Sequence, residues 1–118
     1  MLIRYKRSYE KIAMGLLSLM PRERDVKQLK KTMELYNERP DWQLFLWKAG
    51  DDYIGAIGIY IEDDESFIVQ HISVIPSFRG EGIGHRMVER AERAERLMSG
   101  RRAKPTEETK PFLMKCKV

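Results

Sequence analysis

The stretch Ile72-Ser-Val-Ile-Pro-Ser-Phe-Arg-Gly-Glu-Gly-Ile-Gly-His-Arg-Met-Val88 decides how this chain is to be read. Ile72 to Val74 are β-type residues, and Pro76, lacking an N–H, helps to end their strand. Arg79-Gly80-Glu81-Gly82-Ile83-Gly84 follows as a loop. Ile83, Met87, Val88 and Ala91 then recur at helical spacing. Strand, glycine loop and helix in that order bring bare backbone N–H groups up to a phosphate. Glycine allows positive φ and close approach, and the helix N-terminus adds free donors and partial positive charge.

Two familiar phosphate motifs are excluded. The dinucleotide fingerprint G-x-G-x-x-G would need a third glycine where His85 stands, and no Gly-Lys-Ser/Thr of a P-loop is present.

On the N-terminal side of this stretch, residues 2 to 6 suit a first strand. Ser8 is placed to cap a helix with Ile12, Ala13, Leu16, Leu17 and Met20 on its apolar face, stopped by Pro21. A second helix over residues 23 to 37 sets Val26, Leu29, Met33 and Tyr36 on one side. Strands at 42–49, 53–61 and 67–74 follow, joined by turns at Gly50-Asp51-Asp52 and at the acidic Glu62 to Ser66. The helix after the glycine loop is expected to run to Met98, with Ser99-Gly100 as its stop. Arg101 to Lys104 reads as a brief parallel strand. Pro105 begins a last helix, with Phe112, Leu113 and Cys116 facing inward.

The 118 residues suffice for one domain with one core. Hydrophobic and charged fractions of 42% and 34% describe a soluble globular chain, and no apolar run approaches the ~20 residues of a membrane span. The charged start Met1-Leu-Ile-Arg-Tyr-Lys argues against a signal peptide. Cys116 is the single cysteine, which excludes an internal disulfide and a cysteine metal cluster. A cytoplasmic location is expected. The net charge of +4 leaves nucleic-acid binding open, but interleaved aromatics and a reading motif are missing. Charged helix faces and attraction of a polyphosphate explain the excess more simply. Trp42 and Trp47 read as packing residues.

The spacing Arg79-x-x-Gly82-x-Gly84 behind Val74-x-Pro76 resembles the acetyl-coenzyme A loop of the GNAT N-acetyltransferases. The order β-α-α-β-β-β-α-β-α is similar to theirs as well, so the resemblance covers the whole chain. Within the family the chain resembles the small RibT-like proteins encoded with riboflavin biosynthesis genes in bacilli and their relatives. Residues 1 to 6, 8 to 21, 43 to 47, 70 to 74 and 105 to 116 carry that likeness. The resemblance implies an α/β fold in one domain over residues 1–118, with a mixed, mostly antiparallel sheet flanked by helices. The sequence departs from the usual GNAT pattern at its end, where the family commonly adds two further strands after the last helix.

The same resemblance implies acetyl-CoA as co-substrate and an amine as acceptor. The pyrophosphate would sit on the N–H groups of Gly80, Glu81, Gly82, Ile83, Gly84 and His85. Pantetheine would lie along Ile72, Ser73 and Val74 as an added strand beside a β-bulge, with an N–H near Ile72 as oxyanion donor. Arg79 would contact phosphate or pin the loop. Thr106 stands where the family commonly has a pantetheine-binding Asn. Leu113 stands where the family often has the Tyr that protonates the departing thiolate.

His71, on the strand beside the expected thioester, is the candidate general base. Its plainer reading is a hydrogen-bonded histidine in a half-buried sheet, with alternation setting Val69, His71 and Ser73 on one face. His71 and His85 lack a third ligand, so no metal is expected. The leading expectation is an acetyl-CoA-dependent N-acetyltransferase. A non-catalytic acyl-CoA sensor or partner-binding module is the alternative, favoured by the missing Tyr, and a basic nucleic-acid-binding protein is the second. Monomer and homodimer are both compatible with the sequence.

Overall fold

Aromatic and β-branched residues dominate Trp42–Ala49 (β2), Asp52–Ile61 (β3) and Ser66–Val74 (β4), and these form the antiparallel centre of the fold. The computed structural model describes residues 1–94, 101–111 and 113. Leu2–Arg4 (β1) adds to β2 antiparallel, and Arg102–Pro105 (β5) adds to β4 parallel. The sheet order is therefore β1-β2-β3-β4-β5. Helices Glu10–Leu17 (α1) and Val26–Glu38 (α2) cover one face, and Ile83–Arg93 (α3) covers the other.

Alternation along the strands supplies both cores. Leu44 and Leu46 of β2 pack with Ala13, Leu16, Leu17, Leu29, Met33 and Tyr36, while Phe45 and Trp47 turn to the α3 side. There they join Ile57, Ile59, Phe67, Val69, Ile72 and Val74 beneath Ile83, Met87, Val88 and Ala91. Each such side chain, fully buried, contributes about 1.5–3 kcal/mol.

The expected alternation of β4 fails at one residue. Ile59 pairs with Val69, but the next pair is Gly58 with His71, so Gln70 is an unpaired bulge residue. Val69 therefore faces α3 together with Ile72 and Val74, whereas His71 and Ser73 face α1 and α2. Val69 and His71 do not share a face.

Helix boundaries differ from expectation for local reasons. Ser8 does not cap α1: it lies in a 3-10 turn, Arg7–Tyr9, and no side chain caps the helix that follows. Pro21 opens a second 3-10 turn, Pro21–Glu23, and α2 begins only after Asp25, whose Oδ1 accepts from Lys27 N–H at 3.1 Å. Val26 thus sits in an outward first turn and is 59% exposed rather than facing inward. Pro105 ends β5 instead of opening a helix, and the chain then turns through Thr106 and Thr109. The expected continuation of α3 to Met98, its stop at Ser99-Gly100, and the positions Phe112 and Cys116 lie outside the described residues.

Candidate functional site

Beyond Val69 the two parallel strands part. β5 pairs with Ser66 to Val69 only, its last partner being Pro105, which has no N–H to extend the ladder. The bulge at Gln70 bends β4 at the same level. Ile75 N–H bonds Ile54 O across β3 at 2.9 Å. By alternation, Ile72 and Val74 turn their backbone groups to the opposite, opened edge. On that edge Val74 O accepts from Arg79 Nε at 2.9 Å. Ile72 N–H and C=O and Val74 N–H lie there as a short strand edge with no strand paired to it among the described residues.

The opened edge is one wall of a cleft of about 780 Å³. Ile72, Ser73, Val74, Arg79, Gly80, Gly82, Ile83, Gly84 and His85 line it, together with Leu19, Met20, Pro21, Arg24, Phe78 and Glu108. Nine of the sequence-predicted ligand residues are thus gathered at one site. Glu81 and Thr106 are not among the lining residues, and the Thr106 hydroxyl is engaged with Thr109 at 3.2 Å. The α1–α2 residues Leu19 to Arg24 were not foreseen as part of the site. They carry no ligand motif, and only the fold brings them across from β4.

At one end of the cleft the backbone is arranged for an anion. Gly80 and Gly82 take φ of +86° and +78°, which a side chain would strain. Gly84, by contrast, lies in the first turn of α3. The first intrahelical bond is Arg86 N–H to Gly82 O, so the N–H groups of Ile83, Gly84 and His85 have no partner within the helix. Gly82 at the N-cap has no side chain to cap this terminus, and no acid occupies its first turn. Free donors, the helix dipole, and Arg79 and His85 beside them suit a pyrophosphate. The residues present therefore fit CoA at both places it would need, phosphate end and pantetheine edge.

His71 is brought somewhere else. It is 2% exposed and lines no part of the cleft. Its Nε2 meets Glu23 Oε1 at 2.9 Å and its Nδ1 meets the Tyr36 hydroxyl at 2.6 Å. Thr32 Oγ1 donates to the same carboxylate, 2.9 and 3.0 Å from its two oxygens. An ionised carboxylate only accepts, so Nε2 carries a hydrogen. Burial by itself would raise the Glu23 carboxyl. The His71 hydrogen bond and charge, with help from Thr32 and Arg22, outweigh it and hold the carboxyl below its ordinary value. Burial, and behind it the Glu23 charge, push the Tyr36 phenol well above its own.

Comparison with known proteins agrees with this geometry. The profile of the acetyltransferase (GNAT) family matches residues 13–104. The chain belongs to the GNAT acetyltransferase family. It is 46% identical over 118 residues to an uncharacterized N-acetyltransferase in the lysA 3′ region of Bacillus methanolicus, covering 100% of this chain and 96% of that one. Among solved structures it resembles the aminoglycoside N-acetyltransferase AAC(6′)-Iy in complex with CoA, with a TM-score of 0.76 at 13% identity over 98% of this chain and 81% of the other. A GNAT acetyltransferase from Elizabethkingia anophelis with acetyl-CoA bound matches with a TM-score of 0.60 at 20% identity. That match covers 77% of this chain, which spans only 54% of the other. Among the described residues no three His, Cys, Asp or Glu side chains are placed to hold a metal ion, and no helix is long and apolar enough to cross a membrane.

Proposed function

We propose that this protein binds acetyl-CoA in the cleft along the opened edge of β4 and transfers the acetyl group to an amine. The parting of the two strands beside an uncapped α3 N-terminus carries the reading. It offers a free peptide edge for pantetheine and free N–H donors for pyrophosphate on one continuous wall. Ile72 N–H faces the opened edge and is positioned to stabilise negative charge on a thioester oxygen. The amine nitrogen attacks the thioester carbon, the C–S bond breaks, and the thiolate takes up the proton the amine gives off. His71 serves in this reading as a positioning residue, fixing the level of the bulge from inside the sheet. Glu81 and Thr106 enter as backbone and turn contacts at the rim.

The CoA-bound relatives support the co-substrate, and the aminoglycoside acetyltransferases among them support an amine as acceptor. The likeness to RibT-like proteins rests on the sequence stretches alone. The curated relative's name places it beside lysA, which lends a riboflavin connection no support.

One observation favours the second reading, a CoA-binding module with little turnover. Leu113 is 3% exposed and packed in the α3-side core, so hydrocarbon occupies the place of the family's usual acid. The CoA thiolate leaves without such help at a cost of about 10²–10⁴ in rate.

CoA and acetyl-CoA are expected to raise the melting temperature, adding about 2.7 kcal/mol at 100 times the dissociation constant. A short DNA duplex is the control, and a shift with DNA alone would remove the acetyltransferase reading. Release of free thiol from acetyl-CoA with a panel of primary amines then separates the enzyme from the sensor.

The glycine loop gives a second test. A Cβ at Gly82 would meet nothing within 4 Å among the described residues, so the first carbon added by Gly82→Val has room in the folded chain. Its cost to folding is the strain of positive φ, about 1–2 kcal/mol. Over the α3 N-terminus, however, the added side chain fills the space the pyrophosphate requires. CoA affinity should fall by about tenfold or more while circular dichroism stays native. Undiminished affinity would show that Gly82 serves only the turn.

A further inference from the structure

The chain after β5 marks the end of the cleft remote from the glycine loop. Thr109 Oγ1 donates to Val69 O at 2.8 Å, so Glu108, the residue before it, sits at the level where β4 and β5 part. Glu108 Oε1 lies 3.4 Å from Arg22 Nε. That ion pair brings the Pro21–Glu23 turn to the same end, and it already neutralises the one acidic side chain among the described lining residues. Arg24 follows the turn and lines the cleft. Its side chain forms no ion pair among the described residues. The backbone that carries it is held. Glu23, one residue earlier, is 1% exposed and bonded to His71 Nε2 at 2.9 Å and to Thr32 Oγ1. Arg24 N–H itself donates to Pro21 O at 3.4 Å. The co-substrate is accounted for along Ile72 to Val74 and at the glycine loop, where Arg79 and His85 stand. Arg24 is thus a cation on a fixed base, its charge uncancelled, at the end left for the acceptor.

We infer that Arg24 recognises the acceptor by binding an oxyanion on it, a carboxylate or a phosphate, so that the acceptor class is an amine carrying an acidic group. The guanidinium fork presents parallel N–H donors that match either oxyanion. An uncancelled cation here also repels ammonium groups and favours the neutral form of the reacting amine, the form with a lone pair to attack with. The acceptor's own acidic group would do the opposite, and pairing it with Arg24 removes that effect. This assignment rests on the acetyltransferase reading above and adds the chemical class of the acceptor to it.

The test uses CoA thioethers joined through an S-carboxamidomethyl link to alkyl tails of graded length. Each tail ends in a carboxylate, a phosphate or a neutral primary amide. Calorimetric titration of the whole chain should show an anionic tail binding about fivefold or more tightly than the amide of the same length. The favoured anion names the acidic group, and the preference should shrink as salt is raised. Arg24→Gln should abolish the preference while CoA itself binds as it does to the parent, which also shows that the variant folds. A parent protein indifferent to the tail at every length overturns the assignment, as does a preference that survives Arg24→Gln. Weaker binding of CoA to Arg24→Gln also overturns it, and dephospho-CoA then tells whether the 3′-phosphate is what Arg24 holds. In each of these cases CoA still binds the parent and the acetyltransferase reading stands; failure of CoA to bind the parent removes both.

Discussion

Glu23→Ala is expected to destabilise the fold by about 3–5 kcal/mol, measured by urea unfolding near neutral pH. The substitution leaves the Nε2–H of His71 and the hydroxyl of Thr32 without their acceptor in a region where both are 2% exposed. Against a total of about 5–15 kcal/mol for an ordinary domain, this one side chain decides whether much of the population is folded. The same carboxylate sets a pH dependence. Its folded value is below the ordinary 4.5, so its contribution is complete above that pH and is lost as the pH falls through the folded value. Tyr36 has the opposite sense. Its value is raised, so its contribution is complete below pH 10 and is lost as the pH rises further. In Glu23→Ala the acid limb of the stability profile should flatten. A loss under about 1 kcal/mol, with an unchanged acid limb, would show that the buried chain contributes nothing beyond packing.

Gly58→Ala is expected to cost about 3 kcal/mol although it adds a single methyl. Gly58 pairs with His71 opposite the bulge, and a Cβ there would overlap the Tyr36 hydroxyl and ring. The phenol must therefore withdraw, which overpacks the α2 side and breaks its bond to His71 Nδ1. Gly58→Ala combined with Tyr36→Phe separates these effects, because the phenol oxygen is the nearest obstacle. The double variant should recover part of the loss. A Gly58→Ala protein as stable as the parent would mean that Tyr36 has room the structure does not show.

The glycine loop and the three central strands were legible because their signals are local, whereas the fifth strand, Arg-Ala-Lys-Pro, is poor in strand formers. Pro76, Gly80 and Gly82 act on the backbone where they stand, and aromatic runs mark strands without reference to partners. The bulge at Gln70 had no such mark. Nothing in Val69-Gln-His71 announces an unpaired residue, so strict alternation set Val69 and His71 on one face. Glu23 was equally hidden, since the sequence set it at the start of the second helix with no partner in view. It is buried only because His71, far along the chain, supplies a partner. Val26 failed for the converse reason, being apolar and in phase but in a first turn that points outward. Most of the cleft could be anticipated from the loop and the strand before it. Its far wall could not, because Leu19 to Arg24 and Glu108 acquire their roles only when α1, α2 and β5 are assembled.

The bond from Arg79 Nε to Val74 O has a consequence for how a long ligand is measured out. It ties the start of the glycine loop to the end of the opened strand, so the places proposed for the two halves of CoA sit at a fixed span. Once one half is seated, the other meets its contacts at an effective concentration set by that span instead of by a fluctuating gap. Fragments representing either half should therefore bind far more weakly than their joined form, and loosening this guanidinium should penalise the joined form most.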